Sequence, residues 1–304
     1  EAYVVFGKKT PFAASINPST LNGTNGFVLN GIDVSDFCGI SVSSAGDVNG
    51  DGVDDLILGA HGGDPNGQSF AGESYVVFGK VTKVVGPFAA SINLSTLNGT
   101  TGFVVNGIDA DDRSGGAVAG AGDINGDGID DLIIGARLGD PNGLSAAGEA
   151  SIVFGKSTPF AASLNLSTLN GTTGFVVNGI AINDQCGNAV AAAGDVNGDG
   201  IDDFIVGAEY ADPNGVFAGG EAYVVFGKST SFAASMNLST LNGTNGFRMY
   251  NPNELYLAGR SVCAAGDVNG DGVGDLIVGA PFADPSGRSY AGQTHIVFGR
   301  HFAT

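Results

Sequence analysis

Short apolar runs alternate along this chain with clusters of Gly, Asn, Asp and Pro, and the same four runs return in the same order. In one copy they are residues 187–193 (small and apolar), 203–208 (continuously apolar), 221–227 (EAYVVFG) and the run from Phe247 onward. The last is clearer one copy earlier as 174–178 (GFVVN). Each run has the length of a strand, not of a helix, and each is bounded by turn formers. D-P-N-G at Asp64, Asp140 and Asp212, and D-P-S-G at Asp284, place Pro where φ near −65° suits a turn and Gly where φ is positive. No stretch keeps a 3.6-residue period over ten residues, so an α-solenoid is excluded.

The repetition has a period of about 72 residues. It predicts an all-β fold, a β-propeller-type array of four-stranded antiparallel blades. The small Gly/Ala/Val strand suits a crowded axis. The YVVF strand suits the wider gap between neighbouring sheets. We read 1–304 as a single repeat domain, with units near 1–31 (partial), 32–107, 108–179, 180–251 and 252–304 (partial). Four extra residues near Val81–Gly86 leave the pattern intact, which marks a surface turn. The strand sequence of residues 1–7 recurs at 293–299, four periods later. This predicts a segment of a longer array, or ends that pair with neighbouring chains.

Between the first and second runs of each unit lies D-x-N-G-D-G-x-x-D, beginning at Asp47, Asp123, Asp195 and Asp267. Calcium takes six to eight oxygen ligands at about 2.3–2.6 Å, with carboxylate charge to offset its own. Positions 1, 3 and 5 supply side-chain oxygens: Asp47, Asn49, Asp51; Asp123, Asn125, Asp127; Asp195, Asn197, Asp199; Asp267, Asn269, Asp271. Position 7 supplies a backbone carbonyl (Val53, Ile129, Ile201, Val273), and position 9 a further carboxylate (Asp55, Asp131, Asp203, Asp275). Glycine at position 6 permits the sharp left-handed turn. One Ca2+ per loop, four in all, is the expected cofactor. An EF-hand would end in Glu at position 12; here that position is Leu58, Ile134, Val206 and Val278, so the loop closes at its ninth residue and runs on as a strand. Position 8 is Asp54, Asp130 and Asp202 but Gly274, so its carboxylate is read as dispensable for the ion, lying at the surface or supporting the ligands from behind. The metal's expected role is structural, holding together carboxylates whose repulsion would otherwise open the loop, so that acid or a chelator loosens the repeats together.

The net charge is −19. Four calcium ions would leave the chain acidic, which disfavours nucleic acid and anionic membrane surfaces as partners. No window approaches the roughly 18 apolar residues of a membrane helix. Cys38, Cys186 and Cys263 form no metal-ligand pattern and read as small core residues. N-G-T at Asn22, Asn98, Asn170 and Asn242, and N-L-S at Asn93, Asn165 and Asn237, match the glycosylation sequon, but N-G is itself a turn signal and the repeated-turn reading carries more weight.

Loop and flanks together resemble the FG-GAP repeat of integrin alpha subunits and their bacterial relatives. The matching residues are a glycine eight positions before each loop (Gly39, Gly115, Gly187, Gly259), the loop itself, and the Gly-Ala after the next strand. The full G-A-P occurs once, at 279–281; elsewhere its third residue is His61, Arg137 or Glu209, and Cys38, Ser114, Cys186 and Ala258 replace the Phe. The resemblance implies a β-propeller with calcium loops between first and second strands. It also implies an extracellular or cell-surface setting and, in many members, adhesion. The leading function is therefore a calcium-stabilised extracellular propeller serving adhesion or surface structure. The alternatives are a glycan-binding lectin-like propeller, weakened by the absence of Trp, and a non-catalytic accessory domain of a larger secreted protein or enzyme. The partner, protein or glycan, is not readable. The histidines His61, His295 and His301 do not recur between units and no catalytic constellation is visible, so an enzyme is not expected.

Overall fold

A computed structural model describes residues 1–301; positions 302–304 of the final unit lie outside the described residues. Twenty strands form five sheets. Sheet II holds Ser41–Gly46, Asp55–Ala60, Glu73–Val77 and Gly102–Asn106 in antiparallel succession. Sheet III holds Ala117–Gly122, Asp131–Ala136, Glu149–Val153 and Gly174–Asn178, and sheet IV holds Ala189–Gly194, Asp203–Ala208, Glu221–Val225 and Gly246–Tyr250. The four runs of the sequence pattern are thus the four strands of a propeller-type blade. Sheet V has the first three (Ser261–Gly266, Asp275–Ala280, Gln293–Val297), and sheet I has Ala2–Val5 paired with Gly26–Asn30. Ala2–Val5 therefore pairs within its own chain, while sheets I and V share no strand pairing among the described residues.

The four-strand expectation is incomplete. A further three-residue strand, Ser163–Asn165, pairs in parallel with Gly102–Asn106, the outer strand of the preceding blade. Ser235–Asn237 does the same for sheet III, and Ser91–Asn93 for sheet I. These A-S-x-N segments are too short and polar to signal a strand by periodicity. They form because an outer edge offers unpaired N–H and C=O groups, and because side chains continue the pairing. Asn106 Nδ2 donates to Ser163 Oγ at 3.0 Å and to Asn165 Oδ1 at 2.9 Å. Just before each such strand a phenylalanine lies flat on one of the preceding blade: Phe160 on Phe103 at 4.3 Å between centroids, Phe232 on Phe175 at 4.3 Å, and Phe88 on Phe27 at 4.5 Å. Units 32–107, 108–179 and 180–251 therefore each clasp the one before.

The second strand of one blade packs through glycine against the turn that precedes the first strand of the next. A Cβ on Gly59 would stand 1.8 Å from the carbonyl oxygen of Gly115 in the next blade; Gly135 meets Gly187, and Gly207 meets Gly259, at 2.0 Å. The two glycines of the repeat signature are one contact, made between blades. The inserted segment forms a short exposed helix, Thr82–Val85. The N-G-T turns close on themselves: Asn98 Oδ1 accepts from Thr100 N at 3.0 Å and from Thr100 Oγ1 at 2.7 Å, the turn reading of those tripeptides. Cys186 is buried and Cys38 half-buried, but Cys263 is exposed, because among the described residues only sheet IV packs against the first strand of sheet V. Among the described residues no helix is long and apolar enough to cross a membrane.

Candidate metal centre

Each loop begins at a bulge. The register between first and second strands shifts by one residue at Ser44/Gly46, Gly120/Gly122, Ala192/Gly194 and Ala264/Gly266, and the second residue of each pair is a glycine at φ of 70–75°. A bulge bends its strand and re-aims the chain beyond it, so all four loops leave their blades at the same place. The glycines at position 6 (Gly52, Gly128, Gly200, Gly272) have φ of 85–88°, as the ligand spacing requires.

The position-1 carboxylate organises the loop. Asp47 accepts the N–H groups of Asp51 (3.0 Å) and Gly52 (2.7 Å), and Asp123 those of Asp127 (3.0 Å) and Gly128 (2.7 Å). Asp195 and Asp267 do the same. The position-5 carboxylates of Asp51, Asp127, Asp199 and Asp271 accept from the N–H of position 7 at 2.9–3.0 Å. In three copies the position-3 amide oxygen joins them, Asn125, Asn197 and Asn269 accepting from the N–H of position 5. Positions 1, 3 and 5 thus face one turn of backbone. Among the described residues no hydrogen bond is donated to the position-7 carbonyls of Val53, Ile129, Ile201 and Val273.

Position 9 does more than the sequence suggests. Asp55, Asp131, Asp203 and Asp275 are fully buried. Asp131 Oδ2 accepts from Ile124 N at 3.0 Å and Oδ1 from Gly155 N at 2.9 Å, and the other three repeat both bonds. This carboxylate pins the loop to the end of the blade's third strand. Burial pushes Asp131 up to about 8 and Asp55 and Asp203 to about 7; the two backbone N–H bonds pull the other way, and the carboxylates at positions 5 and 1 raise it further.

Position 8 has a supporting partner in two of the four copies. Asp130 Oδ2 accepts from Asp47 N at 2.8 Å and Asp202 Oδ2 from Asp123 N at 3.0 Å. Each reaches from its own loop to the first residue of the loop one blade earlier. A variable letter at this position looked unimportant because its partner lies about a full period away.

Among the described residues no three carboxylate, imidazole or thiolate side chains stand together as a ready-made metal cage. The donor set is nonetheless that of a hard cation, oxygen throughout, with carboxylate charge gathered around one turn. Each carboxylate oxygen that accepts one N–H keeps a second lone pair, and the position-7 carbonyls are free. By its chemistry the set fits calcium.

A second group of acids, unmarked by any motif, gathers around the D-P-N-G turns. Asp140 Oδ1 accepts from Ala146 N at 2.6 Å and Asp112 Oδ2 from Asp109 N at 3.3 Å. Burial first, then Asp112, Asp109 and Asp140, pushes Glu149 up to about 7. The carboxylates that accept N–H groups here staple loops. Elsewhere the glutamate has a partner: Tyr75 donates to Glu73 and Tyr223 to Glu221, whereas Ser151 stands at the corresponding place beside Glu149.

The FG-GAP repeat model matches residues 39–77, 114–153, 187–225 and 258–297. Integrin alpha pat-2 of Caenorhabditis elegans is 30% identical over 248 residues, which is 81% of this chain and 18% of that protein. Integrin alpha-V of Gallus gallus is 30% identical over 248 residues, 80% of this chain and 20% of its own length. Phosphatidylinositol-glycan-specific phospholipase D of Homo sapiens is 29% identical over 170 residues, 55% of this chain and 18% of that protein. The chain spans a fifth or less of each of these relatives.

Proposed function

Since the chain belongs to the FG-GAP repeat family, with an integrin-like propeller-type fold, we propose that it is a calcium-stabilised extracellular or cell-surface module whose blades are held for adhesion or surface structure. The observation that carries this reading is the fourfold recurrence of one loop conformation with an all-oxygen donor set. In this proposal positions 1, 3, 5 and 9 and the carbonyl of position 7 surround one Ca2+ per loop, and the ion supplies the positive charge that the buried position-9 aspartate lacks. The relatives named integrin alpha support the surface setting. No residue here is assigned a catalytic role, and the likeness to a phospholipase D is confined to about half of this chain.

A second reading, a non-catalytic accessory domain of a larger secreted protein or enzyme, is favoured by the likeness of 55% of this chain to a phosphatidylinositol-glycan-specific phospholipase D. Calorimetric titration of the metal-free chain with Ca2+ tests the metal. About four ions per chain support the reading, and no binding at millimolar Ca2+ ends it. Attachment of cells to surfaces coated with the chain, with and without EDTA, tests adhesion; equal attachment to a coat of unrelated acidic protein refutes it.

A further inference from the structure

The four loops share a sequence but not a setting. Asp47 and Asp123 each have a carboxylate from the next blade on their backbone N–H, supplied by Asp130 and Asp202. The glycine before each is packed by the same group: a Cβ on Gly46 would stand 2.2 Å from Asp130 Oδ2, and one on Gly122 2.3 Å from Asp202 Oδ2. At the third loop the corresponding residue of the next blade is Gly274, and among the described residues a Cβ on Gly194 would meet nothing within 4 Å. The fourth loop likewise has none of the described residues within 4 Å of a Cβ on Gly266.

The loops respond to that difference. Where the tie is missing, Oδ1 of the position-1 aspartate takes an additional N–H from its own loop. Gly198 N donates to Asp195 Oδ1 at 2.7 Å, and Gly270 N to Asp267 Oδ1 at 2.6 Å. Among the described residues Gly50 and Gly126 make no such bond. His301 stands beside Gly198, where Ser157 and Ser229 stand beside Gly50 and Gly126. It is not the cause, because the fourth loop closes in the same way with nothing near Gly270. Other links persist without the carboxylate: Gly274 N donates to the Asp195 carbonyl at 3.0 Å, as Asp202 N does to that of Asp123 at 3.3 Å, and Arg300 N donates to Val196 O as Lys156 N does to Val48 O; what the third loop lacks among the described residues is a carboxylate on the N–H of its first residue.

We propose that Asp130 and Asp202 are positioning residues for the loops one blade earlier, and that they divide the four sites into two calcium classes, tight at Asp47 and Asp123 and weaker at Asp195 and Asp267. The tie fixes the first residue of the loop from outside. Its carboxylate is then spared one internal N–H, which an incoming cation would otherwise have to displace. This inference rests on the calcium reading.

The test is Ca2+ titration of the full chain and of three variants, with amide hydrogen exchange in EDTA as a metal-free readout. The wild-type chain should show two sites binding about tenfold tighter than the other two. The double variant Asp130→Ala/Asp202→Ala should bring all four into the weaker class and lose exchange protection at the amides of Asp47 and Asp123. Gly274→Asp should move a third site into the tight class; a Cβ there meets nothing closer than 3.4 Å, so the side chain fits. Asp54→Ala, whose carboxylate caps no loop among the described residues, should change nothing. Four equal sites, or affinities indifferent to these substitutions, would overturn the two-class assignment while leaving calcium binding intact. Absence of all binding would overturn both.

Discussion

The carbonyl oxygen of Gly115 lies 1.8 Å from where a Cβ on Gly59 would stand, so these two glycines allow the second strand of one blade and the turn before the first strand of the next to touch backbone to backbone. Gly59→Ala should force the blades apart. Overpacking against a side chain costs about 1–3 kcal/mol, and backbone relaxes less readily, so we expect about 3 kcal/mol from urea unfolding. Gly67→Ala, with open space around it but φ of 78°, should cost about 1 kcal/mol. Gly59 has no positive φ, so a loss there no greater than at Gly67 would show that the two blades yield readily to the added methyl.

Asp131→Ala removes the acceptor for two backbone N–H groups, those of Ile124 and Gly155. Each orphaned buried donor costs about 1–3 kcal/mol. Thermal unfolding in EDTA should drop by an amount matching about 2–4 kcal/mol, because this part of the residue's work needs no metal. A loss seen only with calcium present would make the residue a ligand alone.

Calcium should raise the unfolding temperature and EDTA should lower it. An ion at a hundred times its dissociation constant adds about 2.7 kcal/mol for each such site it fills. Differential scanning calorimetry at stepped Ca2+ concentrations measures this, and a midpoint indifferent to calcium would remove its structural role.

Glu149 makes metal-free stability depend on pH. Its folded pKa is raised to about 7 from an ordinary 4.5. Below the ordinary value the group is protonated in both states and costs nothing. As pH climbs toward 7 the unfolded chain gives up the proton first, so the fold loses stability across that window and no more above it. The full loss is about 3 kcal/mol. Glu149→Gln should flatten this slope and stabilise the chain near pH 7, read from urea midpoints between pH 4 and pH 8 in EDTA. An unchanged slope would place the titration elsewhere.

Phe160→Ala should loosen the clasp between sheets II and III. The ring is nearly parallel to Phe103, 5° between planes, with Lys156 Nζ 4.7 Å from its centroid. Truncating a buried Phe costs about 3–5 kcal/mol. Exchange protection of Ser163–Asn165 should fall more than that of the strands inside either blade; uniform loss would mean that the stack serves the core rather than the clasp.

The sequence alone determined the four main strands of each blade, the repeat and the loops. Their signals are local: apolar runs of strand length, glycine where φ must be positive, and acids at fixed spacing within nine residues. The Gly-Ala after the second strand and the glycine before each loop were likewise legible as letters. Tertiary structure decided what those letters meet. It joined Gly59 to Gly115, carried Ser163–Asn165 onto the preceding blade, and set Asp130 on the amide of Asp47. It also gathered Glu149 with Asp109, Asp112 and Asp140. Each of these relations depends on distances across a turn or a blade boundary, where periodicity says nothing. A carboxylate's partner is set by where the blades bring it, and not by its place in the motif.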